Sequence, residues 1–118
     1  HVLLWWLDNN PTLSAQARKV IGEGESRVYV SAATVWEIII KKNIAKLDVP
    51  RNLEEELARH RFETLPVTVE HALALDGLPL HHSDPFERIL IAQARYEHLT
   101  LITRDRNIVR YDVPVILA

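Results

Sequence analysis

The sequence predicts an α/β domain with a mainly parallel central sheet, in a three-layer α/β/α arrangement. Two observations support this class. Short runs rich in β-branched residues alternate along the chain with longer segments that have capping residues and apolar faces. Strands separated by helices pair in parallel, and such a sheet is covered on both faces. The 118 residues contain no repeat and no linker, so we expect a single domain over residues 1–118.

Capping residues followed by apolar faces define the helices. In chain order, helices are predicted from Ser14 to Gly22, after Ser31 through AATVWEIIIKKNI, from Asn52 to about His60, from Thr68 to Gly77, from Asp84 to about Glu97 and near 106–110. Glu55 and Glu87, each three residues after a cap, complete capping-box patterns. Between the helices, β-branched runs predict four strands, at 27–31, 64–67, 100–103 and 114–117.

The composition is that of an ordinary soluble globular protein, with 47% apolar and 25% charged residues. The apolar runs are too short to cross a bilayer, and no segment has the layout of a signal peptide, so a membrane protein is excluded. The absence of cysteine fits a reducing cytoplasm. A net charge of −2 provides no global basic field, so nucleic-acid binding would depend on a local patch.

Four carboxylates fall where open α/β sheets bind ligands, beyond the carboxyl ends of the strands. Asp105 follows the strand TLIT, and Glu37 lies in the helix that follows the strand RVYVS. Asp84 and Glu87 open the helix that leads into TLIT. If the sheet is parallel, we expect these four positions to converge on one edge.

Each acid also has a purely structural interpretation. Asp84 and Glu87 have capping-box spacing, and Asp105 is a natural N-cap for the helix near 106–110. Glu37 stands in an apolar run, where a carboxylate is expensive to bury unless something pairs with it. Its structural alternative is an outward-facing ion pair with Lys41, four residues further along the helix.

Carboxylates gathered in one crevice repel one another, and their pKa values rise unless a cation neutralises them. Oxygen-only ligands favour Mg²⁺ or Mn²⁺ over zinc. Such ions activate water and stabilise a phosphoryl transition state. The pattern of acids therefore indicates metal-dependent cleavage of phosphodiesters.

Four segments together resemble a PIN-domain protein of the VapC toxin type: HVLLWWL, VSAATVWEIIIKKNIAKLDVP, LPLHHSDPFERILIAQARYEHLTLITRD and YDVPVILA. The resemblance runs nearly from end to end. It implies a PIN-like fold and an Mg²⁺- or Mn²⁺-dependent endoribonuclease that leaves 5′-phosphate and 3′-hydroxyl ends. It also implies an RNA substrate, the role of toxin in a toxin–antitoxin pair with a cognate antitoxin protein, and a homodimer.

The resemblance assigns the acidic site residue by residue. Glu37 matches the glutamate of the family's WEI segment, and Asp105 matches the acid of its T-x-D segment. Asp84 and Glu87 match the two acids of the family's DPFDR motif, with Glu87 one methylene longer than the usual aspartate. The resemblance thus implies metal ligands at Glu37, Glu87 and Asp105, with Asp84 as the fourth catalytic residue.

The resemblance also points to a segment before residue 1. The family begins with a central strand that ends in DTH, whose aspartate is a principal metal ligand, and His1 matches the histidine of that motif. The sequence contains no methionine and begins inside an apolar run. We therefore expect the first strand and its aspartate to lie upstream of His1.

Four arginines lie near the proposed crevice in sequence: Arg88, Arg104, Arg106 and Arg110. They either bind the phosphates of an RNA backbone or are ordinary solvated surface residues. Adjacent His81 and His82 are interpreted as loop residues and not as metal ligands. Trp5 and Trp6 are expected in the core or facing the antitoxin. Thr103 either ends its strand or, by resemblance, orients water or metal.

Two further function classes compete with the nuclease. A PIN fold kept only for binding RNA or protein is favoured by Glu87 in place of aspartate and by the first ligand missing from the sequence. A phosphoacceptor receiver domain also places acids at strand ends, but it requires a lysine near the end of the sheet. No lysine follows Lys46, so the receiver domain is set aside.

Overall fold

The computed structural model describes residues 1–45, 48–81 and 83–118. Over these ranges, helices alternate with short strands, and every strand pair is parallel, which confirms the predicted α/β class. The helices are α1 Val2–Leu7, α2 Ala15–Gly22, α3 Ala32–Ala45, α4 Leu53–Arg59, α5 Val69–Leu73 and α6 Pro85–Glu97, with a 3₁₀ helix at Arg106–Arg110. The strands are β1 Tyr29–Ser31, β2 Glu63–Leu65, β3 Leu101–Thr103 and β4 Val115–Leu117. No helix in the described ranges is both long enough and apolar enough to cross a bilayer.

The N-caps are mostly those predicted. Ser14 accepts a hydrogen bond from the backbone N–H of Ala17 at 3.1 Å and caps α2. The capping box expected at Asn52 is wrong, since its side chain caps no backbone N–H. The amide nitrogen of Asn52 instead donates to the carboxylate of Glu55 at 3.2 Å. The side chain of Asn52 therefore bonds to Glu55 and does not cap the start of α4.

Helix α5 ends at Leu73 and not at the predicted Gly77. Beyond Leu73 the backbone turns more tightly, because the N–H of Asp76 donates to the carbonyl of Leu73 three residues back. Gly77 then adopts a φ of +84°, which a residue with a side chain rarely adopts. The apolar run at the start of the chain, for which no element was predicted, forms α1.

The strands form two parallel pairs. In one pair Tyr29 to Ser31 of β1 lie opposite Glu63 to Leu65 of β2, and in the other β3 pairs with β4. Within the described residues these pairs are separate two-stranded sheets. The parallel sheet expected from the sequence is therefore present as two pairs, and among the described residues one edge of β1 and one edge of β3 make no ladder hydrogen bonds.

The buried apolar side chains follow the same division. One cluster lies against β1 and β2 and contains Val30, Leu57 and Phe62, with Trp6 packed on its side. The other lies against β3 and β4 and comprises Leu78, Ile91, Ile108 and Tyr111. Each strand pair thus has its own core, and α6 links the halves by packing against both α3 and β3.

Candidate active site

A cleft of about 690 Å³ separates the two strand pairs. Its walls include the chain at 28–31, which covers β1, and the chain at 100–105, which covers β3. Helix α1 contributes Leu3 and Trp6 to one side, and α6 contributes Leu90 and Ala94 to another. The cleft is therefore the gap at which the sheet is interrupted.

All four acids singled out in the sequence line this cleft: Glu37, Asp84, Glu87 and Asp105. They come from α3, from the start of α6 and from the turn after β3, so segments that are distant in sequence meet there. The expectation that they share one edge agrees with this placement. No carboxylate of the set lies on a separate surface of the molecule.

Glu37 combines both interpretations that its sequence context allows. Its side chain is only 17% exposed and lines the cleft, yet its carboxylate also pairs with Nζ of Lys41 at 3.1 Å. Lys41 lines the cleft too, so the ion pair is part of the site and does not point away from it. The lysine provides the cation that a carboxylate in this position requires.

Asp84 is the N-cap of α6. One carboxylate oxygen accepts hydrogen bonds from the backbone N–H groups of Phe86, at 2.8 Å, and of Glu87, at 3.4 Å. Pro85 fills the first helical position, where no N–H is needed. The cap holds the first turn of α6 in place and so positions Glu87 at the mouth of the cleft.

Asp105 caps the 3₁₀ helix, as the sequence predicts. Its carboxylate accepts a hydrogen bond from the N–H of Asn107 at 2.9 Å. The backbone N–H of Asp105 in turn donates to Oγ1 of Thr103, at 3.1 Å, so Thr103 fixes the turn that carries the acid. Thr103 is buried at the end of β3, which agrees with the strand-ending role considered for it.

The backbone at His1 reaches into the same group of charges. His1 lines the cleft together with the acids Glu37 and Glu87 and the cations Lys41 and Arg104. The start of α1 therefore lies beside acids from α3 and α6.

The acids have the right chemistry for a hard cation, because Mg²⁺ and Mn²⁺ prefer carboxylate oxygen. In the ranges that the structure describes, however, no group of three or more His, Asp or Glu side chains lies close enough to hold a metal ion. The described side chains by themselves therefore do not form a metal site. A further oxygen ligand would have to enter the cleft to complete one.

The arginines expected to bind RNA differ in their surroundings. Arg88 donates to two backbone carbonyls, of Pro79 at 2.9 Å and Leu78 at 3.1 Å, and so holds the loop before α6. Arg104 is exposed, and its guanidinium lies 5.8 Å from the centre of a ring of Trp5. Arg106 is also exposed. The loop contacts give Arg88 a structural role, while Arg104 lines the cleft together with the acids.

Histidines and tryptophans near the site have packing roles. His81 lies edge-on against Tyr111, with ring centres 5.1 Å apart, as suits a loop residue, and His82 lies outside the described residues. The indole N–H of Trp6 donates to Nδ1 of His60 at 3.2 Å. Trp6 therefore belongs to the core, and Trp5 lies against Arg104 at the edge of the site.

A buried polar network, missed by the sequence analysis, lies beside the cleft. Gln93 of α6 accepts a hydrogen bond from Ser31 of β1 at 2.5 Å and donates to the carbonyl of Pro66 at 3.2 Å. The amide nitrogen of Gln93 also lies 3.3 Å from Nδ1 of His71, which is fully buried. One sequence signal does exist, because Gln93 is a polar residue inside the apolar run ILIAQA.

Comparison with models of known protein families gives a match. The family described as PIN domain matches residues 1–114, nearly the whole chain. No curated protein matches the chain significantly.

Proposed function

Because the chain belongs to the PIN-domain family, whose members are generally metal-dependent nucleases, we propose that it is a divalent-metal-dependent endoribonuclease. In this proposal it hydrolyses RNA phosphodiesters in the cytoplasm and is the toxin of a toxin–antitoxin pair. The observation that carries the proposal is the convergence of four acids on one cleft. Convergence of carboxylates from distant segments has no use in the core, where each would have to be neutralised.

Each acid has a separate part in the proposed site. Glu37, Glu87 and Asp105 would hold the metal ion, and Asp84 would keep Glu87 in position through the cap of α6. Mg²⁺ or Mn²⁺ bound there would supply an activated water and neutralise charge on the phosphate. The entering metal ion would replace Lys41 as the partner of the Glu37 carboxylate. Lys41 would then contact a phosphate oxygen of the RNA. Arg104 would bind an adjacent phosphate.

We also propose that the segment leading into His1 forms a strand inside the cleft, within one domain that includes residues 1–118. In the described residues, β1 pairs only with β2, and β3 pairs only with β4, so the edges of β1 and β3 that face the cleft can each accept a further strand. A strand between them would end at the acids, since His1 lines the cleft together with Glu37 and Glu87. A carboxylate at its end would supply the ligand that completes the metal site.

The exposed apolar side chains of α3 support the proposal that the chain binds a protein partner. Ile39 is 41% exposed and Ile44 is 79% exposed, and both are large aliphatic residues that water solvates poorly. We propose that these exposed side chains of α3 contact the antitoxin, or the second subunit of a homodimer. Lys42 on the same helix would favour an acidic partner segment.

Cleavage by the purified full chain tests the proposed reaction. Single-stranded RNA should be cut with Mg²⁺ or Mn²⁺ and left intact with EDTA, and the products should carry 5′-phosphate and 3′-hydroxyl ends. Glu37→Gln and Asp105→Asn should each reduce the rate at least about 100-fold, because each removes a metal ligand. Glu23→Gln, an exposed pair to Lys19 on α2, is the matched control. Cleavage that survives EDTA, or that both site variants retain, would contradict the proposal.

A second candidate function is a binding module without catalysis. Two observations favour it. In the described ranges, no three His, Asp or Glu side chains lie close enough together to hold a metal ion. In addition, Lys41 already neutralises Glu37. Calorimetric titration of the full chain with Mg²⁺ and Mn²⁺ distinguishes the two functions. Stoichiometric binding that Asp105→Asn abolishes supports the nuclease, and the absence of binding supports the binding module.

A further inference from the structure

An aromatic pair bridges the two helices that carry the candidate ligands. Trp36 of α3 and Phe86 of α6 meet edge to face, with ring centres 5.0 Å apart and an angle of 75° between the ring planes. Trp36 remains 64% exposed in spite of this contact. An indole of this size normally buries most of its surface, so the exposed part of Trp36 requires an explanation.

Each ring of the pair directly precedes a candidate metal ligand. Trp36 is followed by Glu37, and Phe86 is followed by Glu87, so the Cα atoms of ring and acid are about 3.8 Å apart. The N–H of Phe86 is also the donor that binds the carboxylate of Asp84 at 2.8 Å. The pair is therefore fixed to the same helical turns as the acids. The acids line the cleft, and the two rings stand outside its lining.

The exposed indole has the chemistry of a base-stacking surface. Every nucleobase has a π-face, and stacking on an aromatic side chain stabilises single-stranded nucleic acid without reading its sequence. An edge-to-face contact with Phe86 fixes the orientation of Trp36 and leaves most of the indole surface available. A nuclease must also hold the nucleotides next to the phosphate that it cleaves.

We propose that Trp36 is a substrate-binding residue that stacks on one nucleobase of single-stranded RNA, next to the phosphate received by the acidic cleft. Phe86 is a positioning residue, which holds the indole in place from α6. This inference rests on the proposed ribonuclease function and adds a nucleobase subsite to it. Because any base can stack, the subsite contributes affinity and register and does not select a base.

A protein partner at Trp36 is the competing use of this surface. Two features favour RNA. The ring contact joins α3 to α6 one residue before the acids, whereas Ile44, which is 79% exposed, lies two turns further along α3. Glu37 and Glu87 directly follow the two rings in sequence, so a phosphate bound there through the proposed metal ion brings its own bases towards the indole.

The test uses the full chain and RNA oligonucleotides in which one nucleotide at a time, around the cleaved bond, lacks its base. The value of kcat/KM is measured for each oligonucleotide with the wild type, Trp36→Ala and Trp36→Phe. Leu73→Ala, which truncates an exposed apolar side chain of α5, is the matched control. Thermal unfolding of each variant checks that it is folded.

For the wild type, kcat/KM should fall about tenfold or more when one particular base near the cleaved bond is removed. Trp36→Ala should cleave intact RNA with a similarly reduced kcat/KM, mainly through KM, and should no longer respond to that missing base. Trp36→Phe should keep the response, and Leu73→Ala should behave as the wild type.

The subsite is refuted if Trp36→Ala keeps the wild-type response to the missing base, or if the wild type cuts every oligonucleotide equally well. A Trp36→Ala variant that cleaves normally and loses only the binding of a protein partner would also overturn it and assign the surface to that partner. If the wild type fails to cleave intact RNA with Mg²⁺ or Mn²⁺, the proposed ribonuclease function itself fails.

Discussion

The hydroxyl of Ser31 donates a hydrogen bond to Oε1 of Gln93 at 2.5 Å and so joins β1 to α6 beside the cleft. The same hydroxyl accepts from the backbone N–H of Ala33 at the start of α3, at 3.0 Å. A single serine thereby links a strand, the helix that carries Glu37 and the helix that carries Glu87. In the described structure, with its two separate cores, this link helps to fix the relative positions of the acids.

Truncation of Gln93 should destabilise the fold. Gln93→Ala leaves the buried hydroxyl of Ser31 without its acceptor, and an unsatisfied buried polar group costs about 1–3 kcal/mol. We expect the free energy of unfolding, measured by urea denaturation, to fall by at least about 1 kcal/mol. Gln16→Ala, on the exposed side of α2, should change it by less than about 0.5 kcal/mol. Equal effects of the two substitutions would show that the network has no energetic importance.

Substitutions at Asp84 should separate its cap from its charge. Asp84→Asn keeps a side-chain oxygen for the N–H groups of Phe86 and Glu87, so stability should be nearly unchanged. Asp84→Ala removes the cap and should cost about 1 kcal/mol in thermal or urea unfolding. If the negative charge serves the reaction, both variants should lose nuclease activity. Full activity in Asp84→Asn would limit this residue to its capping role.

Lys41 should compete with the metal ion for Glu37. Lys41→Gln removes the cation 3.1 Å from the carboxylate, and partly exposed ion pairs of this kind are worth about 0.2–1 kcal/mol. The dissociation constant for Mg²⁺, measured by calorimetry, should therefore decrease by a factor of about 1.5 to 5. Lys42→Gln, one residue away and exposed, is the control and should leave the constant unchanged. Weaker metal binding in Lys41→Gln would contradict this competition.

The core of the second strand pair should be sensitive to cavities. Ile108, in the 3₁₀ helix, is fully buried in the cluster that packs against β3 and β4, and Ile108→Ala should lower the free energy of unfolding by about 2–5 kcal/mol. Ile44→Ala removes the same atoms from a side chain that is 79% exposed, so it should cost less than about 0.5 kcal/mol. A small effect at Ile108 would mean that this half of the protein is loosely packed in solution.

Glu56 should make stability depend on acid pH. The hydrogen bond from Arg59, followed by the charges of Arg59 and His60, keeps the pKa of Glu56 below its ordinary value of 4.5. Below pH 4.5 the unfolded chain binds a proton that the folded chain still excludes, so the stabilisation present above this pH is lost as the pH falls through the folded pKa. Glu56→Gln should flatten the dependence of the melting temperature on pH below this value. Glu54→Gln, an exposed neighbour on α4, should preserve it.

Local features of the fold could be predicted from the sequence because they depend only on neighbouring residues. The caps at Ser14, Asp84 and Asp105 form as predicted, since each needs only a side-chain oxygen two or three residues before a free N–H. The alternation of β-branched runs and amphipathic segments likewise determined the α/β class. Asn52 is the exception, because a second side chain, Glu55, offered its amide a competing partner.

Contacts between distant segments were decided only by the tertiary structure. The sequence predicted that four acids share one sheet edge, but not that the sheet is divided there or that Lys41 and Glu37 both face the gap. It also gave no indication that Gln93 meets Ser31 and His71, which are 62 and 22 residues away. Which side chains meet over such separations depends on how whole helices pack, and the spacing of residues along the chain carries no information about that packing.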